Sequence, residues 1–161
     1  METAKKMNKK LVLGIVAAVV LVLVGGIFFF EKTSVKVFTK SEYIKEVIVQ
    51  NKAFETSLDN FLDQVYAYDS SKAATEKLQT TAEKFPKFVS DLEEKLGARV
   101  PSEVRSHYNQ MIAAYKVYLE AIELYKRAVP KNLGEEREAM MKEAAEKLSQ
   151  AKEAMGSLKN Q

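Results

Sequence analysis

Apolar residues recur every three or four positions along most of this chain, and this spacing constrains the fold more than any other feature of the sequence. The clearest case begins at Val104 and continues through a tyrosine-rich stretch to Val129. Such a stripe lies along one face of an α-helix and needs other helices to cover it. The same spacing marks four segments, at residues 44–68, 74–96, 104–129 and 141–158.

Local signals mark where these helices start and stop. Thr39 and Glu42 form a capping-box pattern ahead of the first segment. Pro86 interrupts the second segment; because proline removes a backbone hydrogen bond and clashes with the preceding turn, we predict a kink or break near residues 82–86. Connections of only a few residues make consecutive helices antiparallel neighbours. We therefore predict an all-α fold, with an antiparallel up-down four-helix bundle over residues 40–161.

A run without charged or strongly polar residues occupies positions 11–30. At 1.5 Å per residue, a helix of this length covers the roughly 30 Å hydrocarbon core of a bilayer. The run is longer than the apolar part of a cleaved signal peptide, so we predict a transmembrane helix that contacts the lipid bilayer there. It follows a basic N-terminus at residues 1–10 and precedes a short extended stalk at residues 31–39.

The charges around this run predict an orientation. Four lysines precede it within residues 1–10, and positive charge favours the cytoplasmic side of a membrane. We therefore predict a single-pass protein of the cell membrane, with its N-terminus in the cytoplasm and its C-terminal domain outside. The chain has no cysteine and no Asn-x-Ser/Thr glycosylation site, which suits a bacterial or archaeal surface.

The remaining composition excludes several classes of function. Residues 33–161 contain 20 basic and 20 acidic side chains, so the domain lacks the net basic face expected of a nucleic-acid-binding protein. The chain has one histidine, His107, and no Gly-rich phosphate loop. Glu103 lies four residues before His107, and we interpret the two as an exposed pair. We predict that the protein is not an enzyme, binds no nucleic acid and uses no cofactor or metal.

Four tyrosines form the most unusual stripe in the sequence, at Tyr108, Tyr115, Tyr118 and Tyr125. Tyrosines on a bundle seam can bury their rings and send their hydroxyls to the rim. Alternatively, they line an aromatic groove for a peptide, lipid or small ligand, because four phenols need polar partners that an apolar core would not supply. Asn51, at an inward position of the first helix, either sets the helix register or belongs to that groove.

The fourth segment is less bulky than the others, and Met140, Met141 and Met155 give it an adaptable surface of the kind that interfaces use. The leading hypothesis is therefore a non-enzymatic module that binds a protein partner or serves as a scaffold in the cell envelope. The alternative is a ligand-binding or sensor domain that uses the tyrosine-lined groove. The sequence leaves the partner and the oligomeric state open.

Overall fold

A computed structural model describes residues 35–158 of the chain. These residues contain helices and no strand, which confirms the all-α prediction. The helices are α1 (Lys40–Tyr66), α2 (Lys72–Ala82), α3 (Lys84–Gly97), α4 (Arg105–Ala128) and α5 (Glu135–Leu158), with a 3₁₀ turn (Ser102–Val104) before α4. Because α2 and α3 together form the second predicted segment, the four helical segments pack as the predicted helical bundle.

The predicted cap and break are both present. The backbone N–H of Thr39 donates to the Glu42 carboxylate at 2.8 Å, and the Glu42 N–H donates to the Thr39 hydroxyl at 3.2 Å, which fixes the start of α1. The second segment is interrupted at Glu83, between α2 and α3. This interruption puts Pro86 in the first turn of α3, where a missing N–H has no helical partner to lose.

Aromatic rings fill the space between α1, α3 and α4. Phe54 of α1 is 1% exposed and forms the hub of this aromatic layer. Its ring centroid lies 4.5–5.5 Å from those of Phe85, Phe88, Tyr115 and Tyr118. Edge-on and tilted contacts of this kind are the favoured geometries for aromatic pairs. The layer therefore connects three helices through one side chain.

Alanines join α4 and α5, which have the most extensive close backbone contact of any helix pair in residues 35–158. Buried alanines recur at seven-residue spacing, at positions 114, 121 and 128 on α4 and at 144 and 151 on α5. Small side chains let two helix axes approach closely. A helix with few bulky residues is thus held by close backbone packing.

The apolar stripe of α1 starts differently from the predicted one. Tyr43 is buried at the inward position, whereas Ile44 is 43% exposed and Ile48 is 61% exposed. The tyrosine ring packs edge-on against His107 of α4, whereas Ile44 and Ile48 face the space between α1, the start of α4 and the last turns of α5. The two isoleucines therefore border a groove, and the expectation that Ile44 belongs to the core is wrong.

The localisation prediction also needs correction. Among residues 35–158, no helix is both long enough and apolar enough to span a membrane. The predicted span at residues 11–30, its bilayer contact and the basic N-terminus at residues 1–10 lie outside the described residues. The helices that are described are amphipathic, with charged residues along their outer faces. The assignment to the cell membrane, with the domain outside, is therefore withdrawn.

Candidate binding groove

A groove of about 510 Å³ opens between the start of α1, the start of α4 and the end of α5, and we call it the α1–α5 groove. Six residues of α1 line it: Lys40, Tyr43, Ile44, Val47, Ile48 and Asn51. The 3₁₀ turn and α4 contribute Glu103, Val104, Ser106, His107 and Met111, and α5 contributes Met155 and Leu158.

The walls of the groove are apolar. Ile44 and Ile48 lie one helical turn apart on α1 and leave much of their surface uncovered. Met155 and Leu158, one turn apart on α5, are buried in the core at the opposite wall. The exposed isoleucines next to a buried apolar wall form a surface that another apolar group could cover. Covering it would remove apolar surface from water, which is favourable.

A polar pair lies at the end of the groove near α4. The hydroxyl of Tyr43 lies 3.0 Å from Nδ1 of His107, and the two rings meet edge-on with centroids 5.8 Å apart. Burial, together with the neighbouring Tyr108 phenol, raises the pKa of Tyr43 to about 12, so its hydroxyl keeps its proton at neutral pH. In the His107 tautomer whose proton is on Nε2, Nδ1 accepts a hydrogen bond from this hydroxyl. Of the two residues that we interpreted as an exposed pair, Glu103 is exposed, whereas His107 is half-buried.

A second polar pair reaches from the groove into the core. Tyr115 of α4 is fully buried, and its hydroxyl donates to the side-chain oxygen of Asn51, which lines the groove. Burial, followed by the charge of Glu55, raises the pKa of Tyr115 above its ordinary value. Asn51 thus supplies the polar partner that a buried phenol requires.

All four tyrosines of the predicted stripe are buried. Tyr115 and Tyr118 pack on Phe54, and Tyr125 packs on Phe61 at 6.4 Å between ring centroids. Burial raises the pKa of Tyr118 to about 12, and it also raises the pKa values of Tyr108 and Tyr125.

None of the four lines the α1–α5 groove. Of the residues that we placed in a candidate groove, the structure brings Asn51 and Met155 together there. Met140 and Met141 are half-buried on α5, and Met141 packs against the core.

Sequence reasoning missed Tyr43 and His107 as groove residues. Tyr43 lies one position ahead of the stripe that we traced, and the histidine flanks the stripe of α4. The sequence does contain a signal for this groove in Ile44 and Ile48. These two apolar residues lie four positions apart on α1, beside the face that carries Val47 and Phe54.

A second groove, of about 740 Å³, separates α1 from α2 and α3. Several of its polar side chains bond within the protein. Thr81 donates to the Gln64 side chain at 3.0 Å, and Ser57 donates to the backbone oxygen of Ala53 at 2.9 Å. Across residues 35–158, no cluster of three or more histidine or carboxylate side chains is arranged to hold a metal ion.

Comparison of the chain with protein-family models, curated proteins and solved structures gave no match.

Proposed function

We propose that this protein is a non-enzymatic binding module whose α1–α5 groove receives an amphipathic helix of a partner protein. The observation that carries the proposal is the exposure of Ile44 and Ile48 along one wall of the groove. Much of each isoleucine side chain is left uncovered by the fold, and together the two form an apolar stripe that spans about one helical turn.

The form of the groove favours a helical occupant. Its long walls are helices α1 and α5. The described residues contain no strand with which an extended peptide could pair. A helix that docks into a groove presents side chains at positions i, i+3 or i+4, and i+7. A volume of about 510 Å³ has room for a few such side chains.

We also infer that the four helical segments form an antiparallel up-down bundle. Three pairs support this arrangement: Tyr68, just after α1, bonds to Thr75 of α2, Gln64 of α1 bonds to Thr81 of α2, and Glu46 of α1 pairs with Lys95 of α3. Residues near the end of α1 thus contact the start of α2, and residues near the start of α1 contact the end of α3. This is the pattern of antiparallel helices. In the same way, Lys147 of α5 pairs with Glu120 in the middle of α4 at 2.6 Å.

A small ligand is the alternative occupant, and one observation favours it. The Tyr43–His107 pair and the Asn51 amide bring polar groups to an otherwise apolar groove, which is the usual composition of small-molecule sites. A ligand with an apolar body and one polar group would satisfy both features.

The test uses the purified full chain and a fluorescently labelled helical peptide with leucines at positions i, i+4 and i+7. We expect the peptide to bind, and we expect Ile48→Glu to weaken binding at least tenfold, because a buried charge replaces an apolar contact. Leu133→Glu is the matched control, since Leu133 is 85% exposed at the opposite end of α4 and α5.

Fluorescence anisotropy measures both affinities. Equal affinities for the Ile48→Glu and Leu133→Glu variants would rule out the groove as the binding site. If the peptide fails to bind while a small amphiphile binds in a manner that depends on Tyr43, the ligand-binding alternative is correct.

A further inference from the structure

Lysines flank the exposed isoleucines of α1. Lys40, Ile44, Ile48 and Lys52 follow one another at four-residue spacing, so they form a single line along one face of the helix. All four side chains are exposed. At 1.5 Å per residue, the two lysines lie about 18 Å apart along the helix axis, one at each end of the apolar stripe.

These lysines have no carboxylate partner within the described part of the chain. Other lysines of the bundle do have one: Lys95 pairs with Glu46, and Lys116 pairs with Glu93 at 3.0 Å. Lys40 and Lys52 take part in no ion pair among residues 35–158. Within residues 35–158, no ion pair neutralises either charge.

The opposite wall and the end of the groove also carry charges. On α5, Lys152 is exposed three residues before Met155 and adds a further positive charge. Glu103 lines the end of the groove, and Glu55 lies toward the tyrosine hydroxyls of α4, where its charge raises the pKa of Tyr118. The rim of the apolar stripe is thus positive on balance.

We infer that the helix received by the α1–α5 groove carries carboxylates on both sides of its apolar stripe. This inference rests on the proposed function and specifies the partner: an amphipathic helix of three to four turns with Asp or Glu about twelve residues apart, placed against Lys40 and Lys52. Complementary charge of this kind selects partners and speeds their association more than it adds affinity. Because the lysines are exposed, salt screens the effect.

The experiment compares two labelled peptides that share the same apolar stripe and differ only in having Glu or Lys at the two flanking positions. Binding to the full chain is measured by fluorescence anisotropy at low and at high ionic strength. We expect the acidic peptide to bind about tenfold more tightly at low salt and to lose most of that advantage at high salt.

Charge reversal supplies the decisive variant. The double substitution Lys40→Glu with Lys52→Glu should make the protein prefer the basic peptide. The matched control, Lys72→Glu with Lys87→Glu, makes the same change in net charge on α2 and α3 and should leave the preference for the acidic peptide intact. Circular dichroism establishes that all variants remain folded.

The outcomes separate the two proposals. Equal binding of both peptides, abolished by Ile48→Glu, would overturn the inference on charge and leave the groove as a binding site. A reversal of preference in the control variant, or none in the groove variant, would also overturn it. If neither peptide binds, the proposed function fails, and the inference fails with it.

Discussion

Replacing two apolar side chains of α1 by alanine, at positions six residues apart, should have very different effects on the stability of the protein. Phe54 is the hub of the aromatic layer, whereas Ile48 is 61% exposed on the wall of the α1–α5 groove. Phe54→Ala should destabilise the protein severely, whereas Ile48→Ala should barely change its stability and should weaken partner binding.

The magnitudes follow from burial. Truncating a buried phenylalanine to alanine costs about 3–5 kcal/mol, a large share of the roughly 5–15 kcal/mol that holds a domain together. Complete burial of an isoleucine side chain is worth about 1.5–3 kcal/mol, and Ile48 hides only about two fifths of its surface, or about 1 kcal/mol. Alanine recovers about 0.4 kcal/mol through its higher helix propensity, which leaves a net loss of about 0.5 kcal/mol.

Urea unfolding of the full chain, followed by circular dichroism, measures both changes as shifts of the midpoint at constant slope. If Phe54→Ala does not fold, Phe54→Leu keeps most of the volume, loses the ring contacts and should cost about 1–2 kcal/mol. A loss of about 2 kcal/mol or more for Ile48→Ala would refute the reasoning, because it would mean that the side chain is packed and that the groove is closed at that wall.

Three further outcomes can be measured by the same unfolding assay. Gly156→Ala should stabilise the protein by about 0.5–1 kcal/mol, since the added methyl group would have no atom within 4 Å other than those of its chain neighbours and of the local helix backbone, and alanine favours the helix. Gly97→Ala should not gain this amount, because its methyl group would lie 3.2 Å from the Tyr108 hydroxyl; a gain equal to that of Gly156→Ala would contradict the packing. At alkaline pH, the unfolded chain loses its phenolic protons near pH 10, whereas burial holds the pKa values of Tyr43 and Tyr118 at about 12 in the folded protein, so stability should fall as pH rises from about 10 to 12. An unchanged urea midpoint across that range would show that these phenols are not buried.

Much of the fold is local and was therefore predictable. The cap at Thr39 depends on residues three positions apart, and the break at Glu83 depends on a proline three positions later. The stripe of α4 follows one regular spacing from Tyr108 to Tyr125 and is buried throughout. Such features can be predicted from the sequence because the interacting residues are close together along the chain.

The candidate site depends on distant pairs and was only partly predictable. The sequence shows that the stripe phenols need polar partners and that Asn51 is polar at an inward position, yet the pairing of Asn51 with Tyr115 joins residues 64 positions apart. The same separation divides Tyr43 from His107. Which residues meet across 64 positions depends on how α1 and α4 are aligned, and side-chain periodicity within each helix does not determine that alignment.

The alanine contact between α4 and α5 has a consequence for the order of folding. These helices are consecutive and are joined by the six residues 129–134, so bringing them together closes a short loop at small entropic cost. The aromatic layer instead joins Phe54 to Tyr115, 61 positions later in the chain, and contacts of such separation form slowly. We therefore expect the α4–α5 hairpin to form early in folding and α1 to dock onto it late. The groove wall formed by Ile44 and Ile48 should then be among the last surfaces to form.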